Sequence, residues 1–190
     1  TNYISALGYG GNEEKMDLWP ANVHLVGKDI LRFHAMIWPA MLLSAGLSLP
    51  KAIYVHGFIT VDGEKMSKTV GNVVDPFEAV KKYGTEVVRY FLLREIPSGD
   101  DGDFSYKKLE ERYNGDLANG LGNLVQRVAT LIENNLDNEL IYDRKLISKD
   151  YQKEVKFLGL YDQAIELFEL HGALMVIWSF ISVANKYVDD

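Results

Sequence analysis

Apolar residues in this chain occur first as short runs between glycines and later at helical spacing. Val23-His24-Leu25-Val26 is a compact apolar run closed by Gly27. It predicts a strand and a tight turn, then a helix from Ile30 with Asp29 as its cap. Along that helix Ile30, His34, Ile37, Trp38 and Met41 recur at mostly three- and four-residue steps and form one apolar face. Pro39 lies inside it and should bend it or end its first part. Beyond Gly46 and Pro50 comes a second strand, Ile53 to Val61, interrupted by His56-Gly57, where the glycine suggests close approach by a ligand or another backbone. Asp62-Gly63 is the strongest turn signal in the chain. Two strands with a helix between them predict a parallel α/β unit.

Helices take over afterwards. Asp75-Pro76-Phe77-Glu78 combines a cap, a first-turn proline and a glutamate three residues after the cap, so a helix begins there and stops near Gly84. Thr85 is the expected cap of the next, which carries Val87, Val88, Phe91 and Leu92. Gly99-Asp100-Asp101-Gly102-Asp103 lacks the glycine and distal glutamate of an EF-hand in register and reads as a solvated linker loop. From Ser105 the pattern is all helical. Leu117, Leu121, Leu124, Val128 and Leu131 form a narrow stripe expected to be packed, and Asn119, Asn123 and Arg127 form an exposed polar line beside it. Asn134 to Ile147 holds an expected loop. Two helices follow, about Lys149 to Leu158 and Tyr161 to Tyr187, the second apolar almost all round and so central to a bundle. The expected divisions are 1–75, a helical connector over 76–104 and a helical domain over 105–190. Gly8 to Pro20 reads as a loop with at most a helical turn.

Composition narrows this picture only slightly. With 190 residues, 47% of them hydrophobic, the chain can bury one core or two small ones. No apolar run approaches ~20 residues, and Thr1-Asn2-Tyr3-Ile4 resembles no signal peptide, so no membrane association is expected. The opening reads as part of an element already under way. The absence of cysteine excludes disulfides and thiolate metal sites in this segment and suits a reducing cytoplasm, the expected compartment. A net charge of -7 argues against indiscriminate nucleic-acid binding, so any RNA contact must come from local basic and polar faces.

The most informative chemistry is the loop Glu64-Lys65-Met66-Ser67-Lys68-Thr69-Val70-Gly71-Asn72. Its two lysines can converge on one polyanion while Ser67 and backbone amides supply directional donors, which is what a leaving pyrophosphate needs. Lys65-Met66-Ser67-Lys68-Thr69 resembles the KMSKS signature of class I aminoacyl-tRNA synthetases, with Thr69 in place of the last serine. Val26-Gly27-Lys28-Asp29-Ile30, Phe33-His34 and Trp38-Pro39-Ala40-Met41-Leu42 resemble the preceding segment of the methionyl-tRNA synthetase family. The likeness continues through Gly71-Asn72-Val73-Val74-Asp75-Pro76, through Leu117 to Arg127 and to Ala184-Asn185-Lys186-Tyr187-Val188-Asp189.

That resemblance implies the second half of a Rossmann-type class I catalytic domain followed by an all-α bundle, truncated at both ends. The HIGH-like motif and any zinc-bearing insertion would lie outside the segment, leaving it inactive alone and without a metal site. The implied activity is ATP-dependent activation of methionine, with ATP and Mg2+ as substrate, and transfer to tRNA(Met). Gly27, Asp29, His56, Lys65, Met66, Ser67 and Lys68 would meet ATP, with Lys65 and Lys68 catalytic. Tyr3, Ile30 and His34 would line the methionine pocket, and Asn123 and Arg127 would read the CAU anticodon beside a stacking tryptophan beyond the segment. Read from residues alone, Asp29 serves equally as helix cap, and His56 and His34 as packing residues. A related class I synthetase for isoleucine, valine, leucine or cysteine, a non-catalytic tRNA-binding module and a helical interaction domain remain alternatives.

Overall fold

The structure, a computed structural model, describes residues 2–12, 14–135 and 151–189. Packing divides the chain into two units, Thr1–Phe58 and Ile59–Asp190. The boundary at Phe58 precedes the one expected at residue 75, so the lysine loop packs with the helical part.

In the first unit, α1 (Asn2–Ala6) and a 3-10 turn at Met16–Leu18 precede β1 (Val23–Gly27). β2 (Ala52–His56) pairs with β1 in parallel, from Val23 opposite Ala52 to Gly27 opposite His56. Parallel neighbours require a crossover. Here it comprises a 3-10 turn (Lys28–Ile30), a π-helical turn (Phe33–Ile37) and α2 (Trp38–Ser44). Pro39 accounts for the change of helix type, because it has no amide hydrogen to continue the ladder and sits in the first turn of α2. Asp29 does not cap the crossover: it lies inside the 3-10 turn, whose N-terminal flank is Gly27 without a side-chain hydrogen bond.

The second unit begins with β3 (Ile59–Val61), which forms a tight hairpin with β4 (Glu64–Lys65) across Asp62-Gly63. Both turn residues have positive φ, 51° and 80°, as the strand twist of a two-residue hairpin demands. The strand expected to run from Ile53 to Val61 is therefore two strands in different sheets. β5 (Gly102–Phe104) lies parallel to β3, with Asp103 opposite Thr60. The supposed solvated linker and the end of the supposed helical connector thus contain a strand. Gly102 is needed there, since a Cβ would come within 2.5 Å of Ile96.

Around this small sheet stand α3 (Pro76–Tyr83), α4 (Thr85–Glu95) and α5 (Tyr106–Arg112). Asp75 caps α3 through the Phe77 amide at 2.8 Å, and Gly84 ends it at φ 88°. Gly84, not Thr85, flanks the start of α4. Ala79, Val88, Phe91, Phe104 and Leu109 form the buried core, and Val61 and Val74, on either side of the lysine loop, pack against it. The loop consequently leaves and re-enters a fixed base.

A polar seam joins α4 to the next elements. Arg112 Nε donates to Glu95 at 2.9 Å and its Nη1 reaches Asp116 at 3.4 Å, while Asp116 also accepts from the Tyr90 hydroxyl at 2.6 Å. Burial and the Asp116 carboxylate push the Tyr90 phenol well above its ordinary value.

Tyr113–Gly122 is π-helical before α6 (Asn123–Asn135) begins. The wider turn breaks the phase assumed for Asn119, so only Asn123 and Arg127 share an α-helix. None of the expected stripe is fully buried, and Leu131 is 49% exposed. The loop expected within Asn134–Ile147 lies mostly outside the described residues. α7 (Tyr151–Glu166) runs past the expected break near residue 160, and α8 (Leu170–Asp189) follows. Phe168 makes the break, at φ 59°, with its amide donating to Ile165 and that of Glu169 to Ala164. This is a Schellman closure with phenylalanine where glycine is usual. α8 contacts α4, the π-helical stretch, α6 and α7, yet several of its apolar residues stay exposed, so it is less enclosed than its composition predicts. No helix among the described residues is long and apolar enough to cross a membrane.

Candidate active site and candidate RNA-binding helix

In the first unit the carboxyl ends of β1 and β2 bring Gly27, Asp29 and His56 together. A Cβ built on Gly27 would lie 2.6 Å from Asp29 Oδ1 and 3.7 Å from His56 Cε1. The glycine leaves room for the carboxylate to lie against the backbone at the strand end, where parallel α/β sheets take ligands. His56 Nδ1 donates to the Gly57 carbonyl at 2.8 Å, which leaves Nε2 as an acceptor in the neutral ring.

A cleft of about 530 Å³ opens beside the crossover, lined by Tyr3, His24, Phe33, His34, Trp38 and Met41 among others. Tyr3 and His34 thus share one cavity, whereas Ile30 lies outside its lining. Sequence reasoning passed over His24. Its ring meets that of His34 at 5.0 Å, and His24 Nδ1 is 2.8 Å from His34 Nε2, so one imidazole donates to the other. Trp19 bridges Tyr3 and Trp38, with ring centres 5.6 and 6.5 Å away. The walls are aromatic and soft, with a pair of imidazoles at one end, an environment suited to a thioether. Burial, and then the charge of His34, hold His24 below the ordinary value of 6.5.

This shift has a testable sign. Below pH 6.5 the unfolded chain binds a proton that folded His24 resists, so stability present above 6.5 is lost as pH falls through the folded value. Urea midpoints measured from pH 7.5 to 5.5 should fall less for His24→Gln than for the natural chain. Parallel slopes would remove His24 as a contributor.

In the second unit, Lys65 ends β4, and Met66, Ser67 and Lys68 follow. Asn72 ties the loop shut: its Oδ1 accepts from the Ser67 amide at 2.8 Å and its Nδ2 donates to the Lys65 carbonyl at 3.2 Å. The Gly71 amide donates to Ser67 O at 3.0 Å, and Ser67 Oγ accepts from the Thr69 amide at 3.2 Å. Lys68 is exposed at the crest of this closed curl, while Met66 and Ser67 are half-buried. Asn72 is the residue whose role the sequence concealed, because its partners are loop backbone.

On α6, Asn123 and Arg127 border a second cleft of about 390 Å³ with Gln126, Thr130 and Val188. Arg127 is half-buried and donates to Asp189 at 2.5 Å. The guanidinium is already oriented by a carboxylate, where the sequence suggested only an exposed line.

Residues 1–129 match the family described as tRNA synthetases class I (M). The chain belongs to that family. It is 46% identical, over its whole length, to a methionine–tRNA ligase of Thermotoga maritima and 48% identical to one of Caldanaerobacter subterraneus, covering 31% of each. It is also similar to the solved methionyl-tRNA synthetase of Mycobacterium tuberculosis bound by methionyl-adenylate, with a TM-score of 0.86, 40% identity and coverage of 99% of this chain and 38% of that one. The apo form of the Mycobacterium protein gives 0.82 and 37% identity, with coverage of 99% and 37%. The chain therefore spans about a third of the length of the family members it matches. Those relatives share a class I fold, and among the described residues of this chain it takes the form of many helices with two small sheets.

Proposed function

We propose that this chain is the part of a methionine–tRNA ligase that handles the nucleotide phosphates and carries the start of the anticodon-reading helices. Family membership together with near-half identity over the full chain carries this reading. The parallel β1–crossover–β2 unit is then the second half of a Rossmann-type catalytic domain, and the helices after Ser105 belong to the anticodon-binding bundle. The setting is cytoplasmic, and the partners are methionine, ATP and tRNA(Met).

The chemistry is two successive displacements. The methionine carboxylate attacks the α-phosphorus of ATP in line, forming methionyl-adenylate and expelling pyrophosphate. A terminal ribose hydroxyl of the tRNA then attacks the acyl carbon, and AMP leaves. Gly27, Asp29 and His56 take the adenosine and the adenylate. Lys65 and Lys68, with Met66 and Ser67, take the phosphates and stabilise the negative charge that grows on them during attack. Mg2+ enters with ATP as part of the substrate. Among the described residues no cluster of three histidine, aspartate or glutamate side chains could hold a resident metal. Tyr3, Ile30 and His34 orient the methionine side chain, with His24 setting the hydrogen-bond sense of His34. Asn123 and Arg127 hydrogen-bond unpaired anticodon bases.

The experiment is ATP–pyrophosphate exchange by the full-length product of the reading frame, with methionine and, as controls, isoleucine, leucine, valine and cysteine. Exchange with methionine alone is expected, and silence from the 190-residue chain beside it. Exchange with another of the amino acids would move the protein to a sister specificity. No exchange with any would leave tRNA binding as its function. For the helix, Arg127→Ala should lower tRNA charging about 10-fold, the loss of one charged hydrogen bond, with exchange intact. A parallel collapse of exchange would make Arg127 structural.

A further inference from the structure

We propose that Asp103 is a positioning residue of the lysine loop, its carboxylate fixing the turn from which that loop departs. The proposal rests on the phosphate-handling role assigned to the loop above.

Asp103 sits in the middle of β5, between Gly102 and Phe104, which are both buried. Strand alternation sends its side chain away from the core that Phe104 enters. Parallel pairing with β3 sets it opposite Thr60 and beside the hairpin turn. Asp103 Oδ1 accepts from the Gly63 amide at 2.7 Å and from the Thr60 hydroxyl at 2.8 Å. Lys108 Nζ lies 3.4 Å from Oδ2 and 3.7 Å from Glu95, the carboxylate that also accepts from Arg112. One oxygen thus holds the loop's departure point while the other is held by Lys108 of α5.

Gly63 is the place where that grip matters. It is the second positive-φ residue of the turn, and Lys65 stands two residues later. The carboxylate accepts the turn amide directly, so the direction in which β4 and the lysines leave follows the position of β5. The Gly63 amide and then the Thr60 hydroxyl hold the Asp103 carboxyl below the usual carboxylate range, consistent with a charged acceptor at neutral pH. Phe104 and Gly102 are buried on the other face of the strand, so the carboxylate faces Thr60 and the turn and not the core.

The test uses the full-length protein and the variants Asp103→Ala and Asp103→Asn. Asparagine keeps an oxygen that can accept from Gly63 and Thr60 and loses the charge together with the acceptor that faces Lys108. We expect Asp103→Ala to lower the kcat of methionine-dependent pyrophosphate exchange about 10-fold with the methionine KM unchanged, because misdirected charges cost rate before they cost amino-acid binding. Asp103→Asn should stay within about 3-fold of the natural protein. Hydrogen exchange at the Gly63 amide should be faster in the alanine variant and nearly normal in the asparagine variant. Equal losses in the two variants, a changed methionine KM, or unaltered Gly63 exchange in the alanine variant would each overturn the role. If the natural protein shows no pyrophosphate exchange, the reading of the loop fails, while the Gly63 amide still decides whether Asp103 fixes the turn.

Discussion

Lys68→Ala in the full-length protein is expected to slow methionyl-adenylate formation by ~100-fold, about 3 kcal/mol of activation free energy, with little change in methionine KM. Lys68 stands exposed on a loop whose backbone is closed by Asn72 and Gly71 and whose ends, Val61 and Val74, pack on the Phe91–Phe104–Leu109 core. A cation on so fixed a base needs little reorganisation as charge develops on the phosphates, which is the condition under which an electrostatic group favours the transition state over the ground state. An alanine there removes the charge and leaves the curl intact, since none of the hydrogen bonds that close it uses the Lys68 side chain. Pre-steady-state adenylate formation separates the possibilities. A fall in rate at saturating ATP and methionine identifies transition-state stabilisation. A change confined to ATP KM would make the lysine a ground-state anchor, and a loss shared equally with methionine binding would remove the assignment.

The features legible in the sequence are those whose cause is local. Asp62-Gly63 announces a hairpin because two adjacent residues must take positive φ, and Asp75-Pro76 announces a helix because cap and first-turn proline are neighbours. The lysine loop was visible by both its wording and its flanks. What escaped is held by distant partners. Gly102-Asp103-Phe104 looks like a solvated acidic loop until β3, more than 40 residues earlier, is laid beside it. His24 looks like one residue of an apolar run, and only the crossover brings His34 against it. Phe168 occupies a left-handed position that sequence rules reserve for glycine or asparagine, so the break between α7 and α8 carried no signal. The π-helical stretch from Tyr113 to Gly122 is similar: Gly115, Gly120 and Gly122 are compatible with a wide turn, and a Cβ at Gly122 would meet the Leu117 carbonyl at 3.1 Å. A periodicity of 3.6 residues per turn is therefore out of phase across it.

Gly27→Ala offers the cleanest separation of chemistry from stability. The backbone at Gly27, φ -72° and ψ 152°, suits alanine, and replacing glycine reduces the freedom of the unfolded chain, so the fold itself has no objection. The new methyl group would nevertheless stand 2.6 Å from Asp29 Oδ1, too close for both to remain. Because the carboxylate is the end of a short exposed side chain, it yields by rotating away while the backbone stays. The expected result is a folded protein within about 1 kcal/mol of the natural stability and an exchange rate about 30-fold lower, corresponding to ~2 kcal/mol. If the displaced carboxylate is the whole cause, Asp29→Ala gives the same loss and the double variant no more than either single one, since both remove one interaction. Additive losses would mean that alanine obstructs the nucleotide directly, and Gly27 would then be needed for close approach of the ligand and not for the placement of Asp29. Full activity in Gly27→Ala would show that neither the space above the strand end nor the carboxylate filling it takes part in binding the adenylate.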